Sequence, residues 1–252
     1  MFPDLQGGVV GDFSTGLTAF WRADNTDAEM TPAELERQRQ AIQQAIRQRQ
    51  AEDAERHRVA ALEAAEQLKQ AKPATNNHPY LRRKGVQAHG IYVSGDSLLI
   101  PLRDINGRIQ SLQTIQPDGG KRFLRGGKVR GGFYLIGAFD PRGEVLASEG
   151  WATGATLREA TGKAVAVCFN AGNLLPVCEA IRRRFRHMRI TVCADNDRFT
   201  PGNPGLVKAR EAALAVGGGL LVPEFPPECE GGTDFNDLQA WHRAKGGELC
   251  LA

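Results

Sequence analysis

The stretch ITVCADNDRF, residues 190–199, decides the fold, because an apolar run in it leads directly into Asp195 and Asp197. The rest of the carboxyl-terminal half repeats this alternation, with apolar runs at 144–148, 164–169 and 220–222 and helical patterns at 154–161, 173–187, 204–216 and 235–245. Continuous apolar strands that alternate with helices indicate a parallel sheet covered on both faces. The sequence therefore predicts an α/β fold for this half of the chain.

Acidic residues follow the predicted strands. Glu149 comes after the first strand, Asp195 and Asp197 come after the third, and Asp234 and Asp237 flank the start of the last helix. Because parallel strands end at one edge of a sheet, we expect these carboxylates to gather there. Oxygen ligands without Cys or His favour Mg²⁺ or Mn²⁺ over zinc, and a divalent cation would relieve their repulsion. The alternative is that the first two aspartates are turn residues and that Asp234 caps the last helix.

The segment that precedes the sheet has β character. Residues 97–104 and 108–116 flank Asn106 and Gly107, a pair that favours a tight hairpin turn, and residues 133–136 form a further predicted strand. Between them lies a run of five basic side chains without an acid: Lys121, Arg122, Arg125, Lys128 and Arg130. Basic groups among glycines suit contact with phosphates, although a solvated turn has the same pattern.

A long helix is predicted ahead of this region, over residues 31–71. Pro32 follows Thr31, as at many helix starts, and residues 33–71 contain neither Gly nor Pro. The large apolar residues are sparse, which indicates a solvated arm. Residues 1–30 are rich in Gly and aromatic residues and form a separate leader.

Composition excludes several classes of protein. The chain has 252 residues, 41% hydrophobic content and a formal net charge of +3, which suits a soluble fold with a sizeable core. No apolar run approaches the roughly 20 residues that span a bilayer, and the amino terminus lacks a signal pattern. The five cysteines are odd in number and never spaced as CxxC. We therefore expect a reduced, cytoplasmic protein without a membrane segment or a zinc ribbon.

Three acidic segments together resemble the Toprim domain of primases, topoisomerases and related nucleases: SEGWATGATL (148–157), ADND (194–197) and TDFNDL (233–238). That family has a Glu after the first strand, a DxD after the third and often a further acidic pair. The matching residues here are Glu149, Asp195, Asp197, Asp234 and Asp237.

Upstream segments resemble the amino-terminal half of a bacterial-type primase core, and they are most similar to primases of phages, plasmids and other mobile elements. These segments are HPYLRRKGV (78–86), LLIPLRDINGRIQSLQTI (98–115) and KRFLRGG (121–127). The resemblance covers residues 76–245 and implies a Toprim-like parallel sheet flanked by helices, preceded by a smaller β-rich lobe and an amino-terminal helical arm. The implied division is 1–30 leader, 31–75 arm, 76–140 β-rich lobe and 141–252 Toprim domain.

The function that this resemblance implies is the synthesis of short RNA primers on single-stranded DNA from ribonucleoside triphosphates, in phage or plasmid replication. Two Mg²⁺ or Mn²⁺ ions, and no zinc, would be held by the five acidic residues. Glu149, Asp195 and Asp197 would be catalytic, with Glu149 either a metal ligand or a general base. The implied nucleic-acid and nucleotide contacts are Arg82, Arg103, Lys121, Arg122, Phe123, Arg125 and Lys128. A replicative helicase or another replication protein is the implied partner.

Two other functions of the protein remain open. A Toprim nuclease would use the same carboxylates to activate water, but the primase-like lobe disfavours it. A non-catalytic replication accessory protein would explain the lack of a zinc ribbon and of a fused helicase, but the complete acidic set disfavours it.

Phe123 either stacks on a base or belongs to the core of the β-rich lobe. The only tyrosines, Tyr80, Tyr92 and Tyr134, lie in the predicted β-rich lobe, which excludes a topoisomerase.

Overall fold

The computed structural model describes residues 7–11, 18–22, 31–249 and 251. The chain divides into two units, residues 1–53 and 54–252. The first unit contains an antiparallel pair, β1 (Gly7–Gly11) and β2 (Thr18–Arg22), within the predicted leader, whose other residues lie outside the described ones. Helix α1 (Pro32–Gln70) begins in this unit and ends in the second. No helix in the described part of the chain combines the length and apolar character needed to span a bilayer.

The last third of α1 differs from the predicted solvated arm. Ala60, Ala64 and Leu68 are buried, and the latter two pack against Leu99 and Leu112 of the β-rich lobe. These three helix residues are spaced four apart, so they form one narrow face. Two of them are alanines, whereas the sequence analysis counted only the large apolar residues of this helix. This end of the helix therefore belongs to the core of the lobe.

The β-rich lobe is a five-stranded antiparallel sheet in the order β3-β4-β5-β6-β7. Its strands are β3 (Lys72–Pro73), β4 (Tyr92–Ser94), β5 (Ser97–Arg103), β6 (Ile109–Ile115) and β7 (Lys121–Phe123). The predicted hairpin is confirmed as β5 and β6, with Gly107 at a φ of 81° in its turn. A short helix, α2 (Pro79–Lys84), precedes β4, and His78 caps it by accepting a hydrogen bond from the Tyr80 N–H.

The second sheet has the order β12-β11-β9-β10-β8 and is parallel except for β8. Its strands are β8 (Tyr134–Ile136), β9 (Glu144–Ser148), β10 (Ala164–Val167), β11 (Arg189–Cys193) and β12 (Gly219–Leu221). Its helices are α3 (Trp151–Thr161), α4 (Leu174–Arg184), α5 (Pro204–Ala215) and α6 (Phe235–Ala244). The predicted α/β fold is confirmed. Strand β8, however, was expected in the β-rich lobe, and it pairs with β10 instead.

Both faces of this sheet are buried, as its apolar strands predict. Val145 and Leu146, adjacent on β9, belong to different hydrophobic clusters. Helices α4 and α5 cover one face, while α3 and α6 cover the other. The cluster on the α3 face continues into the β-rich lobe through Tyr80, Leu98 and Ile100. The lobe and the sheet therefore share one core.

Two buried asparagines add polar links between the lobe and the sheet. The Asn236 side chain, at the start of α6, donates to the Lys84 carbonyl at 2.8 Å and to the Thr156 hydroxyl at 3.0 Å. Asn173 donates to the carbonyls of Gly132 and Cys168 and accepts from the Gly131 N–H. Since buried amides are stable only when bonded, these contacts fix where the lobe meets the edge of the sheet.

Candidate active site

The carboxylates of Glu149 and Asp197 and the backbone carbonyl of Asp195 lie around the amino terminus of helix α5. Glu149 follows β9, and Asp195 and Asp197 follow the neighbouring strand β11. A Cβ atom at Gly205 would lie 2.8 Å from the Asp195 carbonyl, 2.8 Å from Asp197 Oδ2 and 3.2 Å from Glu149 Oε1. The Gly205 N–H donates to Asp197 Oδ2 at 2.9 Å. Only a glycine permits this approach, and the pattern of charged residues does not predict it.

Two carboxylate oxygens at this edge are buried without a partner. Glu149 Oε1 and Asp195 Oδ1 accept no hydrogen bond from any described residue. Burial, and next the charge of Glu149, raises the pKa of Asp195 to about 8. Burial, and next the charge of Asp197, raises the pKa of Glu149 to about 7, although a backbone hydrogen bond from Ala171 opposes this. Buried acceptors without donors are rare in native proteins, and a cation is one way to satisfy them.

Asp234 caps the last helix, which is the alternative role that the sequence analysis considered for it. It is the N-cap of α6, where Oδ1 accepts from the Asp237 N–H at 2.8 Å and Oδ2 accepts from the Thr153 hydroxyl at 2.8 Å. Its charge nevertheless reaches the cluster, because it contributes to the raised pKa values of both Glu149 and Asp195. Asp234 therefore caps α6 and also acts on Glu149 and Asp195 through its charge.

Asp237 has different partners. Its Oδ2 accepts from the Thr233 N–H at 3.1 Å, and its Oδ1 lies 3.6 Å from Lys84 Nζ. Helix α2 thus places a lysine beside Asp237. The role of Asp234 and Asp237 as metal ligands stays a prediction.

The donor set fits a hard divalent cation. It consists of carboxylate oxygens, two of them buried and unpaired. Within the described residues, no three Asp, Glu, His or Cys side chains are gathered in a group that could hold a metal ion. Mg²⁺ is commonly held by only one or two carboxylates, while water and substrate phosphates complete its shell. The residues present therefore suit an ion that arrives with a phosphate ligand.

Strand β7 brings a basic group to this edge from the β-rich lobe. The pKa of Lys121 is lowered by desolvation and next by the charge of Lys84, while the charges of Asp234 and Asp195 oppose this. Lys121 alternates with Arg122, so it shares a strand face with Phe123. Phe123 is 37% exposed and contacts Phe169 edge-on, with 6.1 Å between the ring centroids. Phe123 is thus partly packed and partly exposed. Its two predicted roles, stacking on a base and packing in the core of the β-rich lobe, both stay predictions.

The other predicted contact residues are spread over the lobe. Arg103 donates to the Gly107 carbonyl at 3.0 Å, which commits its guanidinium to the hairpin turn. Four others are exposed: Arg82, Arg122, Arg125 and Lys128. Their contact with nucleic acid stays a prediction.

Tyr80 is a further buried polar residue near the acidic edge that the sequence analysis did not select. Its hydroxyl has no partner among the described residues. Burial, and next the charge of Asp234, raises the pKa of Tyr80 to about 12. The Arg83 guanidinium lies over its ring at 5.6 Å. Tyr80 belongs to the segment 78–86, whose resemblance to primase cores was the sequence signal that could have found it.

Comparison with known proteins agrees with this architecture. Residues 144–246 match the family model of the Toprim domain. Two curated relatives are both DNA primase TraC of Escherichia coli, 35% identical over 230 residues and 34% identical over 226 residues. These matches cover 87% and 84% of this chain, but the chain spans only 22% and 15% of the length of the relatives.

Among solved structures, the primase fragment of the bacteriophage T7 primase-helicase protein matches with a TM-score of 0.50 and 18% sequence identity. The match covers 70% of this chain and 72% of that one. At this identity the likeness shows the fold alone. Residues 144–246 are therefore a Toprim domain, within a chain that is homologous to the DNA primase TraC of Escherichia coli.

Proposed function

We propose that this chain is the catalytic core of a DNA primase. It synthesises short RNA primers on single-stranded DNA from ribonucleoside triphosphates, by metal-dependent nucleotidyl transfer. Homology to TraC over most of the chain supports this function. The observation that carries the proposal is that a basic side chain of the β-rich lobe lies beside an acidic residue of this edge, with Lys84 Nζ 3.6 Å from Asp237 Oδ1. A polymerising enzyme must bring an anionic nucleotide to an anionic strand, so it needs basic groups beside its metal-binding carboxylates.

The acidic edge would hold Mg²⁺ or Mn²⁺, as two ions, and Toprim primases generally use divalent metals. Glu149, Asp195 and Asp197 would be the ligands, with Asp234 and Asp237 beside them. When bound, such ions neutralise the triphosphate and lower the pKa of the attacking hydroxyl. Glu149 would either bind the ion or accept the hydroxyl proton, and its role as ligand or as base stays open.

The β-rich lobe would hold the template strand and the triphosphate. Lys121 would meet phosphate oxygens at the acidic edge, and the exposed Arg122, Arg125 and Lys128 would continue the basic surface. Arg82 and Arg103 complete the proposed contacts. The partner would be a replicative helicase or another replication protein, in the cytoplasm of a cell that carries a phage or a plasmid.

The direct test is an incubation of the protein with single-stranded DNA, the four ribonucleotides and Mg²⁺. We expect short RNA products whose formation requires the template. Cut DNA without RNA would show the Toprim nuclease instead. Binding without either product would show a replication accessory protein.

Asp195→Asn and Asp197→Asn should each lower the rate of primer synthesis by about 100-fold or more, because each removes an anionic ligand. The free energy of unfolding in EDTA should rise for Asp195→Asn, since the repulsion among buried carboxylates is relieved. Mg²⁺ should raise the melting temperature of the wild type but not of this variant. Asp96→Asn, at an exposed turn, is the matched control and should behave as the wild type. Full primer synthesis by both site variants would refute the ligand assignment.

A further inference from the structure

The loop between Asp197 and helix α5 carries an exposed aromatic residue. Phe199 is 63% exposed, and it is two residues from Asp197, a separation of at most about 7 Å along the backbone. Single exposed apolar residues are normal on protein surfaces. Two features of the structure distinguish this one, namely the support under its ring and the rigidity of its loop.

The ring of Phe199 rests on an anchored cation. The Arg198 guanidinium carbon lies 4.7 Å from the Phe199 ring centroid and 4.6 Å from the centroid of the half-buried Phe225. Arg198 Nη2 donates to the carbonyls of Cys229 and Gly231, at 2.7 and 3.1 Å. The Arg198 guanidinium therefore contacts both the half-buried Phe225 ring and the exposed Phe199 ring.

The backbone of the loop is also fixed. The Thr200 N–H donates to the Asp197 carbonyl at 2.7 Å, and the Asn203 N–H donates to the Thr200 carbonyl at 3.0 Å. The Asn203 side chain donates to Asn196 Oδ1 at 2.8 Å. Because the ring and the backbone are already fixed, a group that stacks on Phe199 binds at little cost in conformational entropy of the protein.

We propose that Phe199 is a stacking platform for a nucleobase of the single-stranded nucleic acid at the acidic edge. This inference rests on the proposed function and adds a base contact to it. Aromatic side chains stack on any base, and arginine reinforces such stacks through its charge. A protein partner would need a far larger apolar patch, whereas the neighbours Arg198 and Thr200 are polar and exposed. A single flat ring beside a phosphate-binding edge fits one base.

The test compares two single-stranded oligonucleotides of equal length and charge, one normal and one abasic, bound to the full-length protein. Phe199→Ala should weaken binding of the normal strand about five- to tenfold and leave binding of the abasic strand unchanged. The slope of log affinity against log salt should not change, because no phosphate contact is lost. Leu214→Ala, which removes a 77% exposed side chain from α5, is the matched control and should bind as the wild type.

Phe199→Trp provides a second measurement that does not depend on loss of affinity. It should bind as tightly as the wild type, and its added fluorescence should be quenched by the normal strand but not by the abasic strand. Unchanged affinity of Phe199→Ala for the normal strand, or an equal loss for both strands, would overturn the platform. If the wild type synthesises primers in that case, only this inference fails. If the variants behave as expected and the wild type makes no RNA, the proposed function fails and the platform stands.

Discussion

At Gly205, helix α5 comes so close to the acidic residues that one added methyl group does not fit. The nearest atoms to a Cβ there are a backbone carbonyl and two carboxylate oxygens, all within 3.2 Å. The carbonyl belongs to a tight loop and cannot move freely. We therefore regard this glycine as part of the candidate site, although it carries no functional group.

Gly205→Ala should displace Glu149 and Asp197 and reduce primer synthesis by at least about tenfold, while the free energy of unfolding falls by roughly 1–3 kcal/mol. Titration with Mg²⁺, followed by melting temperature, should show weaker binding of the ion. Gly247→Ala is the matched control, because an added Cβ there meets its nearest atom, the His242 carbonyl, at an ordinary 3.6 Å. If both variants respond to Mg²⁺ as the wild type does, the close approach at Gly205 has no functional role.

At the scale of residues, the sequence could predict which acidic residues follow which strands, because strand ends are local features. It could not predict which oxygens stay unpaired. Asp234 receives two donors, one from its own helix and one from Thr153 on α3, whereas Asp195 Oδ1 receives none. That difference depends on how α3 and α6 meet, which no local pattern encodes.

Secondary-structure elements were predictable where their pattern is long. Helix α1 runs over Pro32–Gln70, within a residue of the predicted bounds, and β9 matches its predicted bounds, Glu144–Ser148. Helix α2 has only six residues, too few for a helical period to show. Strand β8 was predicted as a strand but placed in the wrong sheet, because its partner β10 lies about thirty residues later in the chain.

The buried face of α1 gives a prediction at the scale of this element. Leu68→Ala should lower the free energy of unfolding by about 2 kcal/mol or more, because Leu68 packs against Leu99 and Leu112. Leu62→Ala, on the exposed face of the same helix, should change it by less than about 0.5 kcal/mol. Chemical denaturation of the two variants measures both values. Equal effects would mean that the helix end does not belong to the core of the lobe.

At the scale of the whole molecule, the net charge is only +3, but acidic and basic side chains come from different parts of the fold. The carboxylates come from the ends of β9 and β11 and from the start of α6, whereas the lobe contributes Lys84 of α2, 3.6 Å from Asp237, and Lys121 of β7, whose pKa responds to Asp195 and Asp234. A shared core and two buried asparagines hold the lobe in this position. The sequence showed the basic run, but only the fold brings Lys121 near enough for the charges of Asp195 and Asp234 to act on its pKa.

Besides the basic run at 121–130, the sequence has a second basic cluster at residues 182–189, and the two clusters differ in their surroundings. In the second cluster, residues 182–189, Arg182 donates to the carbonyls of Val216, Arg186 and Met188 and so ties α4 to its neighbours. Arg183, Arg184 and Arg186 are exposed on the helix or just after it. The comparison of the two clusters therefore separates the effect of charge from that of position.

Replacing Lys121, Arg122 and Lys128 by Ala should weaken the binding of single strands of every sequence alike, because phosphate contacts carry no base information. The slope of log affinity against log salt should flatten by about 0.7 for each phosphate contact that is lost. The matched triple variant, Arg183, Arg184 and Arg186 to Ala, removes the same charge and should leave this slope unchanged. Asp195→Asn should leave it nearly unchanged as well, since it acts on the metal site. Binding titrations at several salt concentrations measure all four proteins. A slope that flattens in the second triple variant but not in the first would mean that the strand runs along α4 and not over β7.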